Sequence, residues 1–475
     1  MQLRPYQQEA VKRVYTGLRQ YRSVMLQMPC RSGKTPTFCK MIQDAVSRGH
    51  KVLVLADRQE LIYQAAKTIC KMTFLDVGLI KAGEAENWTA PVQVGSRQTL
   101  INRLDNYPSD AFGFIVIDEA HHTPCKTYRA ILEHFLGAKY LGVTATPVRT
   151  NGQGFEDLYS DLVTVIHPHE LMEQGFISPF RLYASVRPVK TEGARKSKGD
   201  WNLSDIETLN EGEDLAGDVI ESYFEHRPND KATNLVFAYS VDHSKEIAER
   251  YQSSGINAVH LDCTTPKEER KDLMEQLAAK EIQVVSNFGL FAEGVDIPGL
   301  DMTQILRPTQ SLSVWIQMCF RPLTPDPGKQ YGVIIDHTDS HKPDRHGLPD
   351  KVRVWNLEGK PKEPVVAEEQ LEPLNKKPKP QDEEGLQEKY YFEDTSKKLH
   401  LVTAQNYWAG WWSEVVARQQ HFGYKKWWIF HRCKKAHPPL EIWEALAKYL
   451  GYKPGWGWHQ FNEHNPEAQL QKKVI

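Results

Sequence analysis

Two successive series of short apolar runs, each run followed by a longer mixed segment, limit what this chain can fold into more than any other feature. In the first series, between residues 24 and 146, runs such as VLVLA (52–56) and FIVID (114–118) alternate with helix-length stretches. The second series contains NLVFAYS (234–240), INAVHLD (256–262), IQVVSN (282–287) and YGVIID (331–336). Runs of this kind are uniformly apolar because both faces of their sheet are covered, which is the condition of parallel strands joined by helical crossovers. The pattern predicts an α/β protein with two tandem parallel-sheet lobes. At 475 residues the chain is also too long for one ordinary core.

The remaining segments read differently. Residues 187–212 are polar, with an ARKSKGD run and little periodicity, and predict a loop or insertion near the junction of the lobes. Residues 351–398 are rich in Lys, Glu and Asp, with five prolines between Pro361 and Pro380, a composition that reads as an extended linker. The tail holds eight of the twelve tryptophans, and GYKKWWIFHRCKKAHP (423–438) repeats as GYKPGWGWHQFNEHNP (451–466). The expected organisation is a first lobe (1–167), an inter-lobe connection (168–213), a second lobe (214–345), a charged Pro-rich linker (346–398) and a small helical, aromatic-rich C-terminal domain (399–475).

A net charge of −2 gives no global attraction to nucleic acid, so any basic surface must be local. There is no run of about 18 apolar residues, and MQLRPYQQEA lacks the apolar core of a signal peptide, so a cytoplasmic protein with no membrane partner is expected. Seven scattered cysteines form no C-x-x-C pair, which argues against a zinc ribbon or a disulfide framework.

Chemistry concentrates in two segments of the first lobe. MLQMPCRSGKTPTF (25–38) sets Ser32, Gly33, Lys34 and Thr35 directly after an apolar run. Backbone N–H groups there can cradle phosphate, Lys34 can reach the β/γ-phosphates of ATP, and the Thr35 hydroxyl can ligate Mg²⁺. The full G-x-x-x-x-G-K-[ST] pattern asks for glycine at position 28, which is Met28. Asp118-Glu119-Ala120-His121 ends FIVID, placing carboxylates at a strand's C-terminal edge, with Asp118 to hold Mg²⁺ through water and Glu119 to polarise an attacking water. Taken singly, a chance turn and a surface Asp-Glu pair capping a helix explain these segments; together in this order they point to an ATP site.

On those residues the chain resembles superfamily 2 helicases over residues 1–340, and within them the RadD-like and phage-encoded DEAH-box group. The resemblance implies RecA-like lobes and nucleic-acid-dependent ATP hydrolysis with Mg²⁺. Leu3-Arg4-Pro5-Tyr6-Gln7-Gln8 looks like the motif whose glutamine reads adenine, which brings Arg4 and Gln7 to the ATP-binding set with Arg31, Ser32, Gly33, Lys34 and Thr35. ADRQEL (56–61) and GSRQTL (95–100) resemble motifs that hold the strand's phosphates, implying contacts from Arg58, Gln98 and Thr99. GVTATPVR (142–149) resembles the coupling motif, implying roles for His121, Thr144 and Thr146. In the second lobe VFAYS (236–240) implies a strand contact at Ser240, NFGLFAEGVDIP (287–298) carries Gly294 and Asp296, and WIQMCFRPLT (315–324) carries Gln317 and Arg321 as catalytic residues on the second face of the nucleotide.

Three departures stand out. Arg31 occupies a position usually held by glycine, Thr324 replaces the second arginine of Q-x-x-G-R-x-x-R, and the tail lacks the cysteine cluster of RadD. An arginine finger contributes about 10³ to 10⁵ in rate, so Thr324 bears on whether the site turns over. Arg321 is read as the finger, with Arg31 or Arg307 as compensating cations. In the tail, Trp428 and Trp456 with Lys425, Lys426 and Lys453 read either as stacking platforms for nucleic acid or as the core of a small domain. The reading is an ATP-dependent DNA helicase or translocase acting on single-stranded or branched DNA; an RNA helicase and a degenerate ATP-binding scaffold are the alternatives.

Overall fold

The computed structural model describes residues 2–56, 59–85, 87–123, 125–149, 152–185, 187–197, 199–290, 297–359 and 399–401, the helix Leu440–Leu450 and a few single positions around it. The described chain divides into two compact units.

The first unit opens with α1 (Pro5–Gln20) and proceeds through β1 (Ser23–Gln27), α2 (Lys34–Ser47), β2 (Val52–Ala56), α3 (Gln59–Thr73), β3 (Val77–Ile80) and β4 (Val92–Ser96). It continues with α4 (Arg97–Ile101), β5 (Phe114–Asp118), α5 (Lys126–His134), β6 (Lys139–Thr144), β7 (Asp161–Thr164) and α6 (Pro168–Glu173). Among the described residues these strands make one sheet in the order β3-β4-β2-β5-β6-β1-β7, with every pair parallel. Every residue of β1, β2 and β4 is buried, as their continuous apolar character requires. Met25, Leu53, Leu55, Ile115 and Ile117 join Tyr128, Ile131 and Phe135 in one core, each large side chain contributing roughly 1.5–3 kcal/mol by burial.

The second unit contains β8 (Phe180–Ser185), a hairpin of β9 (Lys196–Ser197) and β10 (Asp200–Trp201), then α7 (Leu203–Leu209), α8 (Leu215–His226), β11 (Asn234–Phe237) and α9 (Val241–Ser253). Next come β12 (Ala258–Leu261), α10 (Lys267–Ala278), β13 (Val284–Asn287), β14 (Met302–Ile305), α11 (Leu312–Cys319), β15 (Gly332–Asp336) and β16 (Leu399–Leu401). Its sheet runs β12-β13-β11-β14-β15-β8-β16, parallel except for the antiparallel edge strand β16. Two parallel-sheet α/β lobes are therefore present, as the two series of apolar runs require.

The boundaries differ from the expectation in three places. The stretch 168–213, read as a connection, supplies β8 to the interior of the second sheet, because Phe180, Leu182 and Ala184 alternate inward and β15 pairs with them. The polar 187–212 stretch is not merely a loop: Val189 and Ile206 enter the second core, and Arg195 clasps the Asp205 carboxylate from its Nε and Nη2 atoms at 2.9 and 2.7 Å. Its strands are two residues long, too short to leave a periodic trace. Residues 353–359, inside the expected linker, return to the first lobe: Phe155 N–H donates to the Leu357 carbonyl at 2.6 Å, and Gln153 bridges Gly359. In the tail, α12 (Leu440–Leu450) buries Trp443 and Leu446 against Ile429 and Cys433, the behaviour of a small core.

Candidate active site

β1 runs into the phosphate loop without a break. Met28 continues the ladder, its N–H donating to the Thr144 carbonyl at 3.0 Å while its side chain is fully buried. Met28 does not take a positive φ, so glycine is not needed there. The turning falls to Arg31 and Gly33, with φ of 63° and 81°. Gly33 caps α2 with a conformation that favours glycine, and a Cβ there would lie 2.4 Å from Gln7 Nε2, so a larger residue would displace the Gln7 amide. Arg31 adopts the left-handed region at a cost of about 1–2 kcal/mol.

Gln7 causes that close approach. Its Nε2 donates to the carbonyls of Ser32 (3.1 Å) and Gly33 (3.2 Å), and its Oε1 accepts the Arg4 N–H at 2.9 Å. The Tyr6 hydroxyl donates to the Ser32 carbonyl at 2.7 Å, while Arg4 Nη1 donates to that hydroxyl at 3.0 Å. The Arg4 guanidinium lies 3.9 Å from the Phe176 ring centroid. The start of α1 is thus clamped onto the phosphate loop. Tyr6 and Phe176 were not singled out from sequence; Tyr6 lies inside the LRPYQQ motif, whereas nothing around Phe176 marks it.

β5 delivers the carboxylates. Asp118 ends the strand, its Oδ1 accepts the Glu119 N–H at 3.0 Å, and Glu119 turns the chain through a left-handed φ of 47°. Lys34 Nζ, at the start of α2, is 3.9 Å from Glu119 Oε1, with the two side chains only 14% and 18% exposed. Burial, and then the neighbouring Glu119 charge, push the Asp118 carboxyl above its ordinary range, against the opposing pull of Lys34.

From the carboxylates a chain of polar contacts leads to β6. His121 Nδ1 is 3.4 Å from Glu119 Oε2 and 3.2 Å from Thr144 Oγ1, and the Thr146 N–H donates to that same oxygen at 3.1 Å. Thr144 and Thr146 are fully buried, and Gln27 Nε2 donates to the carbonyl between them at 3.0 Å. The phosphate loop, carboxylates and threonines therefore follow β1, β5 and β6, neighbours in the sheet, at their C-terminal ends.

The expected strand contacts of this lobe belong to the other half of the same edge. Gln98 is exposed at the start of α4, with its Oε1 accepting from Ser96 Oγ at 2.7 Å, and Thr99 follows it. In the second lobe Ser240 caps α9, its hydroxyl accepting the His243 N–H at 3.1 Å. Gln317 and Arg321 are buried on α11 and the short 3₁₀ turn Arg321–Leu323. Trp315 Nε1 donates to the Gly347 carbonyl at 3.1 Å, anchoring α11 to the segment after β15. At Thr324, where a second arginine was expected, the carbonyl accepts from Lys329 Nζ at 3.2 Å. Arg58, Gly294, Asp296, Lys425, Lys426, Trp428, Lys453 and Trp456, with most of the tail repeat, lie outside the described residues.

Two parallel-sheet lobes, with a phosphate loop after β1 and an Asp-Glu pair after β5 on either side of β6 in the first, define a nucleotide-hydrolysing motor core. The family described as type III restriction enzyme, res subunit, matches residues 1–149, and the helicase conserved C-terminal domain matches residues 216–323. A 51.5 kDa protein of Lactococcus phage (isolate 7-9) is 32% identical over 70% of this chain and 68% of its own length. The putative ATP-dependent helicase IRC3 of Saccharomyces cerevisiae is 27% identical over 70% of this chain, a match spanning only 51% of the yeast protein. Among solved structures, the ATP-dependent type ISP restriction-modification enzyme LlaBIII bound to DNA shares the fold, with a TM-score of 0.54 and 19% identity over 72% of this chain and 28% of that one. The chain belongs to the superfamily 2 helicases, ATP hydrolases built on this pair of lobes.

Proposed function

We propose that this protein is a DEAH-type, ATP-driven DNA helicase or translocase. The observation that carries the reading is the continuous polar path from Lys34 through Glu119 and His121 to Thr144 and Thr146, which joins the phosphate loop to the coupling motif within one lobe. The yeast helicase relative and the DNA-bound restriction enzyme of the same fold support nucleic acid, and DNA in particular, as the track.

In this reading the N–H groups of residues 32–35 and Lys34 hold the β- and γ-phosphates. Gln7 Oε1 accepts one protein N–H and keeps a lone pair for the adenine amino group. A divalent cation fits the donor set: a buried Asp118 carboxyl destabilised by Glu119 favours a nearby positive charge, with the Thr35 hydroxyl as a further ligand. Among the described residues no cluster of three or more metal-ligating side chains occurs, so the ion would take phosphate oxygens and water, as Mg²⁺ commonly does. Bound Mg²⁺ would neutralise charge on the phosphates. Glu119 orients a water for in-line attack and accepts its proton, ADP leaves, and Arg321 supplies the finger that stabilises charge on the transferred group.

Single-stranded DNA is gripped through phosphates by Arg58, Gln98, Thr99 and Ser240, largely without regard to sequence. The tail's lysines add attraction. No helix among the described residues is long and apolar enough to cross a membrane, and the reading places the motor in the cytoplasm. Steady-state ATP hydrolysis with no nucleic acid, single-stranded DNA, forked DNA or RNA tests the proposal. Stimulation greatest with DNA and abolished by Glu119→Gln is expected; equal or greater stimulation by RNA would move the track to RNA, and no turnover under any condition would leave an ATP-binding scaffold.

A further inference from the structure

Tyr63 exposes 44% of its surface although it is held in place from two sides. Its hydroxyl donates to the Glu84 carboxylate and accepts from Lys81 Nζ at 3.0 Å, and that ammonium lies 4.8 Å from the ring centroid. Burial does not explain an aromatic ring fixed by two charged partners and left open to solvent. Its position in the sheet suggests a use. Tyr63 stands in the first turns of α3, just after β2, and Lys81 directly follows β3, so both lie at the C-terminal edge of the first sheet. In the order β3-β4-β2-β5-β6-β1-β7, the nucleotide groups take the ends of β5, β6 and β1. The β3-β4-β2 half of the same edge carries Tyr63, Lys81, Gln98 and Thr99.

We propose that Tyr63, fixed by Lys81 and Glu84, is a stacking platform for a base of the single strand lying along that half of the edge. The inference rests on the reading of this chain as a nucleic-acid motor and adds a base contact to a grip made otherwise of phosphate contacts. Every base has a π-face, so such a platform tolerates any sequence. Glu84 offsets the charge of Lys81, so the contact attracts a base face more than a phosphate and adds little to the salt dependence of binding. Both partners also restrict the ring before the strand arrives, which reduces the ordering cost of the contact.

Exposure alone does not pick out Tyr63. Phe74 is 88% exposed but precedes β3, and Trp88 is 43% exposed but precedes β4, so both lie at the opposite edge of the sheet. They serve as controls.

The test uses the full chain, a labelled oligo-dT and a labelled abasic strand of the same length, titrated over a salt series. Tyr63→Ala is expected to weaken oligo-dT binding about tenfold, to leave abasic-strand binding unchanged, and to keep the salt slope, whereas Tyr63→Phe stays within about twofold of wild type and Phe74→Ser changes neither. Equal loss on both strands, or no loss on oligo-dT, would overturn the platform while leaving the motor reading intact. If wild type binds neither strand, the motor reading fails and the platform with it.

Discussion

Replacing Thr144 with valine removes one hydroxyl from a fully buried position and leaves its shape nearly unchanged. That oxygen accepts the Thr146 N–H at 3.1 Å and faces His121 Nδ1 at 3.2 Å. The Thr146 amide then loses its acceptor at a cost of about 1–3 kcal/mol, and the contact to His121 is worth a further 0.5–1.5 kcal/mol or so. The first lobe should therefore unfold at lower denaturant, by roughly 2–4 kcal/mol. The functional consequence is smaller and more specific. Coupling between two sites cannot exceed the differential interaction that carries it, so losing one hydrogen bond of about 0.5–1.5 kcal/mol lowers the stimulation of ATP hydrolysis by nucleic acid about two- to tenfold. Lys34, Asp118 and Glu119 are untouched, so basal hydrolysis persists. The assay is steady-state ATP turnover with and without single-stranded DNA for wild type, Thr144→Val and Thr144→Ser, the serine keeping the hydroxyl. Stimulation should fall in the valine variant and return in the serine variant. An unchanged ratio of stimulated to basal rate in Thr144→Val would refute the path from His121 to Thr144 as the carrier of coupling.

Further expectations concern the nucleotide site and the second lobe. Glu119→Gln should retain ATP binding but lose hydrolysis on the order of 10²- to 10⁴-fold, checked by nucleotide titration beside turnover. Gly33→Ala places a Cβ 2.4 Å from Gln7 Nε2 at a φ of +81°, so weaker ATP binding and a lower melting temperature are expected, measured by equilibrium titration and calorimetry. Burial holds His243 down to about 3 and His337 down to about 4, against 6.5 for an unburied histidine. Because the unfolded chain binds these protons first, their neutral burial favours the folded state above about pH 6.5, and stability falls by roughly 1.4 kcal/mol per histidine per pH unit below it, toward pH 4. Urea unfolding of the second lobe from pH 7 to pH 5 should show that slope, and His243→Phe, which keeps the contact with the Tyr239 ring, should about halve it.

The legible parts of this molecule are those whose physics is local in sequence. A phosphate-binding turn would need a glycine in the left-handed region, a lysine and a hydroxyl at consecutive positions; Gly33, Lys34 and Thr35 present that set in the sequence, and the structure places Gly33 in the left-handed region at the start of α2. Asp118 and Glu119 announce themselves because a strand end is visible from FIVID alone. Position 28 departs from the long phosphate-loop pattern because the ladder with Thr144 extends through Met28. The clamp of Tyr6 and Gln7 on Ser32 and Gly33, and the stacking of Arg4 on Phe176, join residues far apart in the chain and leave no periodic trace. The return of residues 353–359 to the first lobe is of the same kind: Val354, Trp355 and Leu357 form no run or period that marks a strand, and only the pairing of Leu357 with Phe155 shows where the segment goes.

The length dependence of DNA-stimulated ATP hydrolysis tests the central claim most directly. A motor that moves along its track hydrolyses more ATP per binding event on a longer strand, so at a fixed concentration of nucleotides the rate should climb with strand length to a plateau in wild type and be absent in Glu119→Gln. A rate that is independent of DNA, or that depends only on the concentration of binding sites and not on strand length, would contradict the account of this protein as an ATP-driven translocating motor.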